Sequence, residues 1–201
     1  KLDLEKQQAN QITIDKIKNK DWYFVNDEYG RIHTNITILA RNLRQFLSVE
    51  NQNLQNIDLV NSQPLFLYLV LSSFLPKYVE EYTIRCALRS KLLEELDLYS
   101  QLVQQGKLYD FASKMYGKTN REEAKELIFR EIFGPTLSKQ FRDTFPTLSG
   151  MLQKIKGKDY RRVAWMMQRQ ESKFIISQVC GRLMKIIPDQ FISTIHDSIL
   201  T

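Results

Sequence analysis

The pattern of apolar and polar positions places strand-like stretches near both ends of the chain and helical stretches between them. Residues 1–20 are polar with a helical pattern, and a turn at 26–30 leads into a helix-like run that ends near Leu47. The strand-like stretches are 21–24, 57–60 and 191–200. The predicted helices cover 65–75, 77–105, 107–115, 120–133, a short stretch within 147–157, and 160–185. The predicted fold class is therefore α+β and predominantly helical.

The length and composition of the chain indicate a globular protein with a net positive charge. The 201 residues, 43% hydrophobic and 26% charged, are typical of a soluble globular protein that is long enough to bury a core. A net charge of +6 favours a polyanionic partner, although many basic proteins bind no nucleic acid. Cys86 and Cys180 each lie in an apolar helical stretch and are predicted to be buried thiols rather than a disulfide or a metal site.

The sequence shows neither a secretory signal nor a membrane-spanning segment. No signal peptide opens the chain, and no apolar run approaches the roughly 20 residues of a membrane span. We therefore expect an intracellular protein (cytoplasmic, viral or organellar) that is not secreted and has no membrane partner. The chain begins with Lys1 and is still apolar at 198–201, so we expect it to be cut from something longer.

Two acids stand in apolar strand-like stretches. Asp58 is flanked by Ile57 and Leu59, and a buried unpaired carboxylate there is costly. Taken alone, a salt-bridged acid at a strand end is the favoured interpretation of Asp58, and a metal ligand is the alternative. Asp197 presents the same problem in 193–199, and two such acids solve it together if they share Mg²⁺ ions with a substrate's phosphates. The neighbouring His196, taken alone, is best interpreted as a hydrogen-bonded structural histidine.

A helix with chemically distinctive spacing begins near Thr119, where Thr119 and Glu122 form a capping-box pattern. After it come side chains at intervals of four residues, which stay on one side of a helix: Arg121, Lys125, Phe129 and Phe133. Two cations followed by two rings can hold a triphosphate and stack on a nucleobase. The alternative is an ordinary amphipathic helix whose cations pair with nearby glutamates.

In this order, the three elements resemble motifs A, B and C of the single-subunit polymerases, namely the family A DNA polymerases and the phage and mitochondrial RNA polymerases. Residues 121–134 match the motif B register of Arg, Lys, an aromatic and Tyr-Gly without gaps, with Phe133 in place of Tyr. His196-Asp197-Ser198 resembles motif C in its RNA-enzyme form. Asp58 resembles the motif A acid, and Gln63 stands where the DNA enzymes have Glu.

Two weaker matches agree, and several departures accompany them. The segment 30–34, with Arg44 downstream, resembles one that reaches the primer–template minor groove, and Gln168 resembles a glutamine at the primer-terminal base pair. The stretch 134–196 is about half the family's usual length. No exonuclease and no recognisable thumb precede residue 26, and we expect the chain to stop before the strand that returns from motif C.

The resemblance implies a role for each matching residue. Asp58 and Asp197 would hold two Mg²⁺ ions, assisted by the backbone carbonyl of Leu59. Arg121 and Lys125 would hold the incoming triphosphate, and Lys125 would protonate the leaving pyrophosphate. Phe129 would stack on the nucleotide, Phe133 would close over the templating position, and Gln63 would lie below the 2′ position of the sugar. The residues expected to contact primer or template are Arg31, His33, Arg44, Gln168 and His196.

The resemblance also implies an organisation and an activity. We expect 1–75 to be the first part of a palm with a small antiparallel sheet, 76–157 to be reduced fingers, and 158–201 to complete the palm. The expected activity is transfer of dNTPs to a primer 3′-OH on a DNA template, as in phage or mobile-element replication. Further domains or subunits would supply a thumb and the remaining palm. Gln63, 30–34 and Phe129 favour DNA synthesis.

Three alternatives stay open. Ser198 favours a single-subunit RNA polymerase with an RNA product. The short fingers and the glutamine at position 63 permit an inactive polymerase-like module that only binds nucleic acid. An unrelated basic helical interaction protein, in which the motif matches are accidental, is the third.

Overall fold

The computed structural model describes residues 2–81 and 86–201. This part of the chain is mostly helical with small antiparallel sheets, as predicted for an α+β fold. Its helices are α1 (Leu2–Lys18), α2 (Asn35–Ile38), α3 (Ser62–Glu81), α4 (Cys86–Gln104), α5 (Leu108–Tyr116), α6 (Arg121–Phe133), α7 (Lys139–Thr144), α8 (Pro146–Lys156), α9 (Arg162–Ser172) and α10 (Gly181–Ile186). A 3₁₀ helix covers Arg41–Phe46, and a π-helical segment, Lys173–Cys180, joins α9 to α10. Among the helices described, none is both long and apolar enough to cross a membrane.

The strands form three small antiparallel sheets. The strands are β1 (Phe24–Asn26), β2 (Ile32–Thr34), β3 (Ser48–Val49), β4 (Gln52–Asn53), β5 (Asn56–Asp58), β6 (Ser193–Ile195) and β7 (Ser198–Leu200). The first sheet pairs β1 with β2, the second pairs β3 with β4, and the third has the order β5-β7-β6. The third sheet joins strands from both ends of the sequence.

Contacts between Cα atoms divide the chain into two units. Unit 1 contains Lys1–Leu59 and Glu171–Thr201, and unit 2 contains Val60–Gln170. The segment 76–157, expected to form reduced fingers, lies entirely within unit 2, together with 60–75 and 158–170. The names palm and fingers remain expectations from the resemblance.

Several predicted elements differ from the structure, among them the strand expected over 21–24, which the structure places at Phe24–Asn26. The helix-like run expected to end near Leu47 is a strand, one turn of α-helix and a 3₁₀ helix, because Leu39 and Ala40 have extended ψ angles of 136° and 140°. The break expected at Pro76 is absent, since α3 continues through it and the Phe74 and Tyr78 rings pack 6.1 Å apart across it. The single strand expected over 191–200 is a hairpin. The part of the 77–105 prediction that covers 82–85 lies outside the described residues.

In unit 1 both faces of the central strand β7 are covered, which explains why all three of its residues are buried. Leu200 packs on one face with Ile36 and Ile195, while Ile199 packs on the other with Ile175 and Cys180. Neighbouring residues of a strand point to opposite faces, so one short strand anchors both clusters. The buried thiol predicted for Cys180 is confirmed, whereas the side chain of Cys86 lies outside the described residues.

Unit 2 has an aromatic core centred on Phe145, which is 1% exposed. Its ring lies 5.4 Å from Phe141, 5.9 Å from Phe111 and 6.4 Å from Tyr99. The next helix, α8, begins with Pro146, and the buried carboxylate of Glu95 accepts hydrogen bonds from the backbone N–H groups of Thr147 and Leu148. A carboxylate at this position satisfies amides that have no intrahelical partner and complements the helix dipole.

A buried polar cluster supports the C-terminal end of α6. Lys156 is 3% exposed, and its Nζ donates to the carbonyl oxygens of Glu131 and Gly134, both at 2.6 Å. The Glu131 carboxylate accepts from the hydroxyl of Tyr116 and the backbone N–H of Ser138, both at 2.9 Å. Burial lowers the pKa of Lys156 to about 8, against the opposing charge of Glu131. The lysine therefore caps the C-terminal end of α6, and its amino group loses its proton only slightly above neutral pH.

The depressed pKa of Lys156 gives a prediction about alkaline pH. In the folded protein the amine loses its proton near pH 8, and in the unfolded chain near pH 10.5, so its contribution to stability rises as pH increases between these values. From about pH 7.5 to about pH 9.5, the free energy of unfolding of the wild type should rise by about 1–2 kcal/mol relative to Lys156→Met. Urea titrations at several pH values measure this difference. The control Lys158→Met, an exposed lysine, should keep the rise; equal pH profiles for wild type and Lys156→Met would contradict the prediction.

Candidate functional site

His196 and Asp197 form the two-residue turn between β6 and β7. The hairpin register pairs Ile195 with Ser198, and the Ser198 hydroxyl donates to the Ile195 carbonyl at 2.9 Å across the turn. His196 has a φ of +54°, which two-residue hairpin turns require at their first position. The expectation that the two residues lie inside one strand is therefore wrong. The expectation that no strand returns from them is also wrong, because β7 returns.

Asp58 ends β5 at the same edge of the sheet as this turn. In the register of β5 and β7, Asp58 lies opposite Ser198, the residue that follows Asp197. Paired Cα atoms of antiparallel strands are about 4.5–5.5 Å apart, so the two acids are close neighbours. Asp58 lies at a strand end, as the favoured interpretation expected, and β5 is an exposed edge strand in which Ile57 is 59% exposed. Asp58 faces water without the desolvation cost that its sequence context suggested.

The two carboxylates share one cavity of about 410 Å³ with basic side chains. Asp58 and Asp197 line it from the sheet, and Arg41 and Arg44 line it from the 3₁₀ helix. Within the described residues, neither carboxylate accepts a hydrogen bond or forms an ion pair, so the salt-bridged acid favoured for Asp58 is not observed. Two carboxylates that line one cavity without protein partners can together hold a cation, with substrate oxygens as further ligands.

His196 lies at the mouth of this cavity beside Asp197. Partial desolvation lowers the pKa of His196, the nearby Arg31 and Arg44 guanidinium groups act in the same direction, and Asp197 opposes them. The imidazole is therefore neutral near pH 7 although solvent reaches it at the turn. The described residues contain no group of three or more His, Cys, Asp or Glu side chains that could hold a metal ion. A cation at the acid pair would need substrate oxygens as further ligands.

Arg31, expected to reach the primer–template, is held inside unit 1. Its Nε and one terminal nitrogen donate to the Glu171 carboxylate at 3.0 and 2.8 Å. The Glu171 side chain is 2% exposed and that of Arg31 is 21% exposed. A carboxylate this deeply buried needs its cation, so the ion pair gives Arg31 a structural role.

His33 and Arg44 also have partners within the protein. His33 Nε2 lies 3.0 Å from the Asp27 carboxylate, which also accepts from the backbone N–H groups of Tyr29 and Arg31. Burial would raise the pKa of Asp27, but these hydrogen bonds outweigh it and lower the pKa. Arg44 donates to the carbonyl oxygens of Thr37 and Leu39, both at 2.9 Å. Both side chains therefore stabilise the segment between β1 and the 3₁₀ helix.

In unit 2, the motif-B-like residues lie on α6 with the predicted spacing. The rings of Phe129 and Phe133 pack 5.9 Å apart, and the Lys125 ammonium lies 6.0 Å from the Phe129 ring, so the row shares one face. Lys125 pairs with Glu122 at 3.6 Å, as the amphipathic-helix interpretation expected, whereas Arg121 pairs with Asp110 at 3.5 Å. These exposed ion pairs are weak and leave the cations able to exchange partners.

The remaining expected site residues lie at element boundaries or on helices. Leu59 follows β5, Gln63 is in the first turn of α3, and Gln168 is half-buried on α9. The predicted cap of α6 moves by one residue, because the side chain of Asn120, rather than Thr119, accepts the Glu122 N–H. Leu59 belongs to unit 1, whereas Gln63 and Gln168 belong to unit 2.

Sequence reasoning missed Arg41, Asp27 and Glu171. A signal for Arg41 exists in the spacing of Arg41 and Arg44, because side chains three residues apart share a face of a 3₁₀ helix. No local pattern marks Glu171 as the partner of Arg31, since the contact joins residues far apart in sequence. Comparison with protein-family models, curated proteins and solved structures gives no match. Function is therefore inferred from this geometry and from the motif resemblance.

The Arg31–Glu171 pair gives a prediction about stability. Arg31→Met should lower the free energy of unfolding by about 3 kcal/mol, because Glu171 would be left buried without its cation. Adding Glu171→Leu should recover most of that loss, since an apolar side chain needs no charged partner. Arg161→Met, which removes an arginine paired with Asp159 at the surface, is the control and should cost less than about 1 kcal/mol. Chemical denaturation of the four proteins measures the differences; a double variant as unstable as Arg31→Met would contradict the prediction.

Proposed function

We propose that the protein is a template-dependent nucleotidyltransferase that joins dNTPs to a primer 3′-OH on a DNA template. The observation that supports this most strongly is the meeting of Asp58 and Asp197 at one edge of the β5-β7-β6 sheet. In the sequence, the same two positions resemble the acids of motifs A and C. An accidental pair of motif matches has no reason to converge on one cavity.

The acid pair fits divalent cations, because two adjacent carboxylates line a cavity without protein partners among the described residues. In this proposal Asp58 and Asp197 hold Mg²⁺, assisted by the Leu59 carbonyl. Two bound Mg²⁺ ions supply activation of the primer hydroxyl and stabilisation of the leaving pyrophosphate. Their small number of protein ligands matches the preference of Mg²⁺ for a few carboxylates together with substrate phosphates.

The other roles in the proposal belong to α6. Arg121 and Lys125 bind the triphosphate, and Lys125 donates a proton to the departing pyrophosphate. Phe129 stacks on the nucleobase, and Phe133 covers the templating position. Support comes from the shared face of these four side chains and from the weakness of the exposed ion pairs that the two cations now make.

DNA synthesis is favoured over RNA synthesis in this proposal. Ser198, the residue that pointed to RNA polymerases, donates its hydroxyl to the Ile195 carbonyl and is 6% exposed. A serine at position 198 is therefore explained by its hydrogen bond across the hairpin turn and need not indicate an RNA product. Gln63 is bulky, like the glutamate with which the DNA enzymes exclude a 2′-hydroxyl.

Primer extension tests the proposal directly. With Mg²⁺, dNTPs and a DNA primer–template, the protein should extend the primer, and Asp197→Asn should reduce the rate at least about 100-fold, because one charged ligand of the cation is lost. The control Asp189→Asn changes an exposed acid of unit 1 outside the cavity and should retain the wild-type rate.

Three outcomes would contradict this proposal in different ways. Extension that survives Asp197→Asn would exclude the acid pair from the mechanism. Tight binding of primer–template without extension by the wild type would show the alternative, an inactive module that only binds nucleic acid. Extension with rNTPs in preference to dNTPs would show an RNA polymerase.

Sugar discrimination gives a separate prediction. Gln63→Ala should increase the incorporation of rNTPs relative to dNTPs by about tenfold or more, because a smaller side chain leaves space for the 2′-hydroxyl. The rate with dNTPs should change less. Ratios of kcat/KM for matched rNTP and dNTP substrates measure the effect. Gln153→Ala, an exposed glutamine of α8, is the control; an unchanged ratio in Gln63→Ala would exclude residue 63 from sugar selection.

A further inference from the structure

We propose that Arg41 is an anion-binding residue that holds a substrate phosphate together with the cation at Asp58 and Asp197. This inference rests on the proposed function, because it requires a divalent cation at the acid pair. The polymerase resemblance assigns no role to Arg41. The ligand proposed for the two arginines that line the cavity, Arg41 and Arg44, is a phosphate.

The first support is the geometry of the 3₁₀ helix. Arg44 follows Arg41 by three positions, so the two lie on one face of a helix with three residues per turn, and both line the cavity. Arg44 is fixed by the carbonyl oxygens of Thr37 and Leu39. Within the described residues, the Arg41 guanidinium has no hydrogen-bond or ion-pair partner, and the residue is exposed. Arg41 can therefore donate all its hydrogen bonds to a ligand.

The second support is the proximity of the two guanidinium groups. Burial lowers the pKa of Arg44, and the positive charge of Arg41 lowers it further. Two neighbouring guanidinium groups of like charge are stabilised by an anion that both can bind. Phosphate suits this position, because its oxygens accept the paired N–H groups of arginine in a bidentate arrangement.

The third support is the balance of charge in the cavity. Two aspartates and two arginines line the cavity, so their charges cancel. A phosphate that enters alone meets the two aspartates, and a divalent cation that enters alone meets the two arginines. When both enter, each removes the repulsion that the other meets. Binding of cation and phosphate should therefore be coupled, and the coupling must be reciprocal.

Calorimetric titration of the purified protein tests this coupling, with Mn²⁺ alone, pyrophosphate alone, and pyrophosphate at a fixed free Mn²⁺ concentration. The wild type should bind pyrophosphate at least about tenfold more tightly when Mn²⁺ is present. Arg41→Gln should remove this enhancement, yet bind Mn²⁺ alone as tightly as the wild type or more tightly, because one repelling charge is gone. Arg41→Lys should restore part of the enhancement through its charge.

Arg182→Gln is the matched control, since it removes the same charge from an exposed arginine of unit 1 outside the cavity. It should behave as the wild type. Thermal unfolding followed by circular dichroism confirms that each variant is folded. Solution complexes of Mn²⁺ and pyrophosphate affect all proteins equally at a fixed free Mn²⁺ concentration, so differences between variants report on the site.

Two further arms identify the source of the phosphate. With Mn²⁺ present, Arg41→Gln should weaken binding of dTTP if the residue contacts the nucleotide triphosphate. It should weaken binding of a short single-stranded oligonucleotide if the residue contacts the strand. A tenfold or larger loss in either arm supports the proposal.

The outcomes that overturn this inference differ from those that overturn the proposed function. Equal enhancement in wild type and Arg41→Gln, or pyrophosphate binding that does not depend on Mn²⁺, would overturn the role of Arg41 alone. Failure of the wild type to bind Mn²⁺ even when pyrophosphate is present would overturn both proposals. Coupled binding of Mn²⁺ and pyrophosphate without primer extension would support the anion site and contradict polymerase activity.

Discussion

The antiparallel pairing of β5 with β7 is the interaction on which the candidate site depends. It joins a strand that ends at residue 58 to a hairpin near residue 200, and it sets Asp58 opposite Ser198. Because side chains alternate between the faces of a strand, a slip of one residue would move Asp58 to the face of Ile57 and away from the cavity. The register is held from both sides of the sheet, since Ile199 and Leu200 pack into different apolar clusters. The position of the acid pair is thus a consequence of core packing.

The charged side chains of the protein fall into two groups with different physical roles. Arg31–Glu171 and Lys156 with Glu131 are buried and hydrogen-bonded, so they stabilise the fold and have little freedom to meet a ligand. The acids and Arg41 in the cavity face solvent, and the described residues provide them with no partner. A protein gains no stability from two adjacent unpaired carboxylates. Charged side chains that line a cavity without protein partners can bind a ligand, so this contrast favours the cavity as the functional site.

Helices were predictable from the periodicity of the sequence, whereas features that depend on tertiary contacts were not. The helices expected over 107–115 and 120–133 are observed as α5 and α6 within two residues of the predicted bounds, because apolar residues at every third or fourth position indicate a helix from the local sequence alone. The hairpin turn at His196 and Asp197 carries no glycine or asparagine, so its sequence alternates like a strand. The helix α3 likewise continues through Pro76, with the Phe74 and Tyr78 rings in contact across it, whereas the local sequence favours a break at a proline.

The sequence by itself determined the class of the fold, the face shared by Arg121, Lys125, Phe129 and Phe133, and the selection of Asp58 and Asp197 as a pair, through a family resemblance that stays a prediction. The tertiary structure decided which of the selected side chains have partners. Arg31, His33 and Arg44 bind atoms within the protein, whereas the two acids bind none among the described residues, and Arg41 joins them across the cavity. The physical reason is that spacing along a chain places a side chain on a face of its own element. Only the packing of distant segments determines which charges that face will meet.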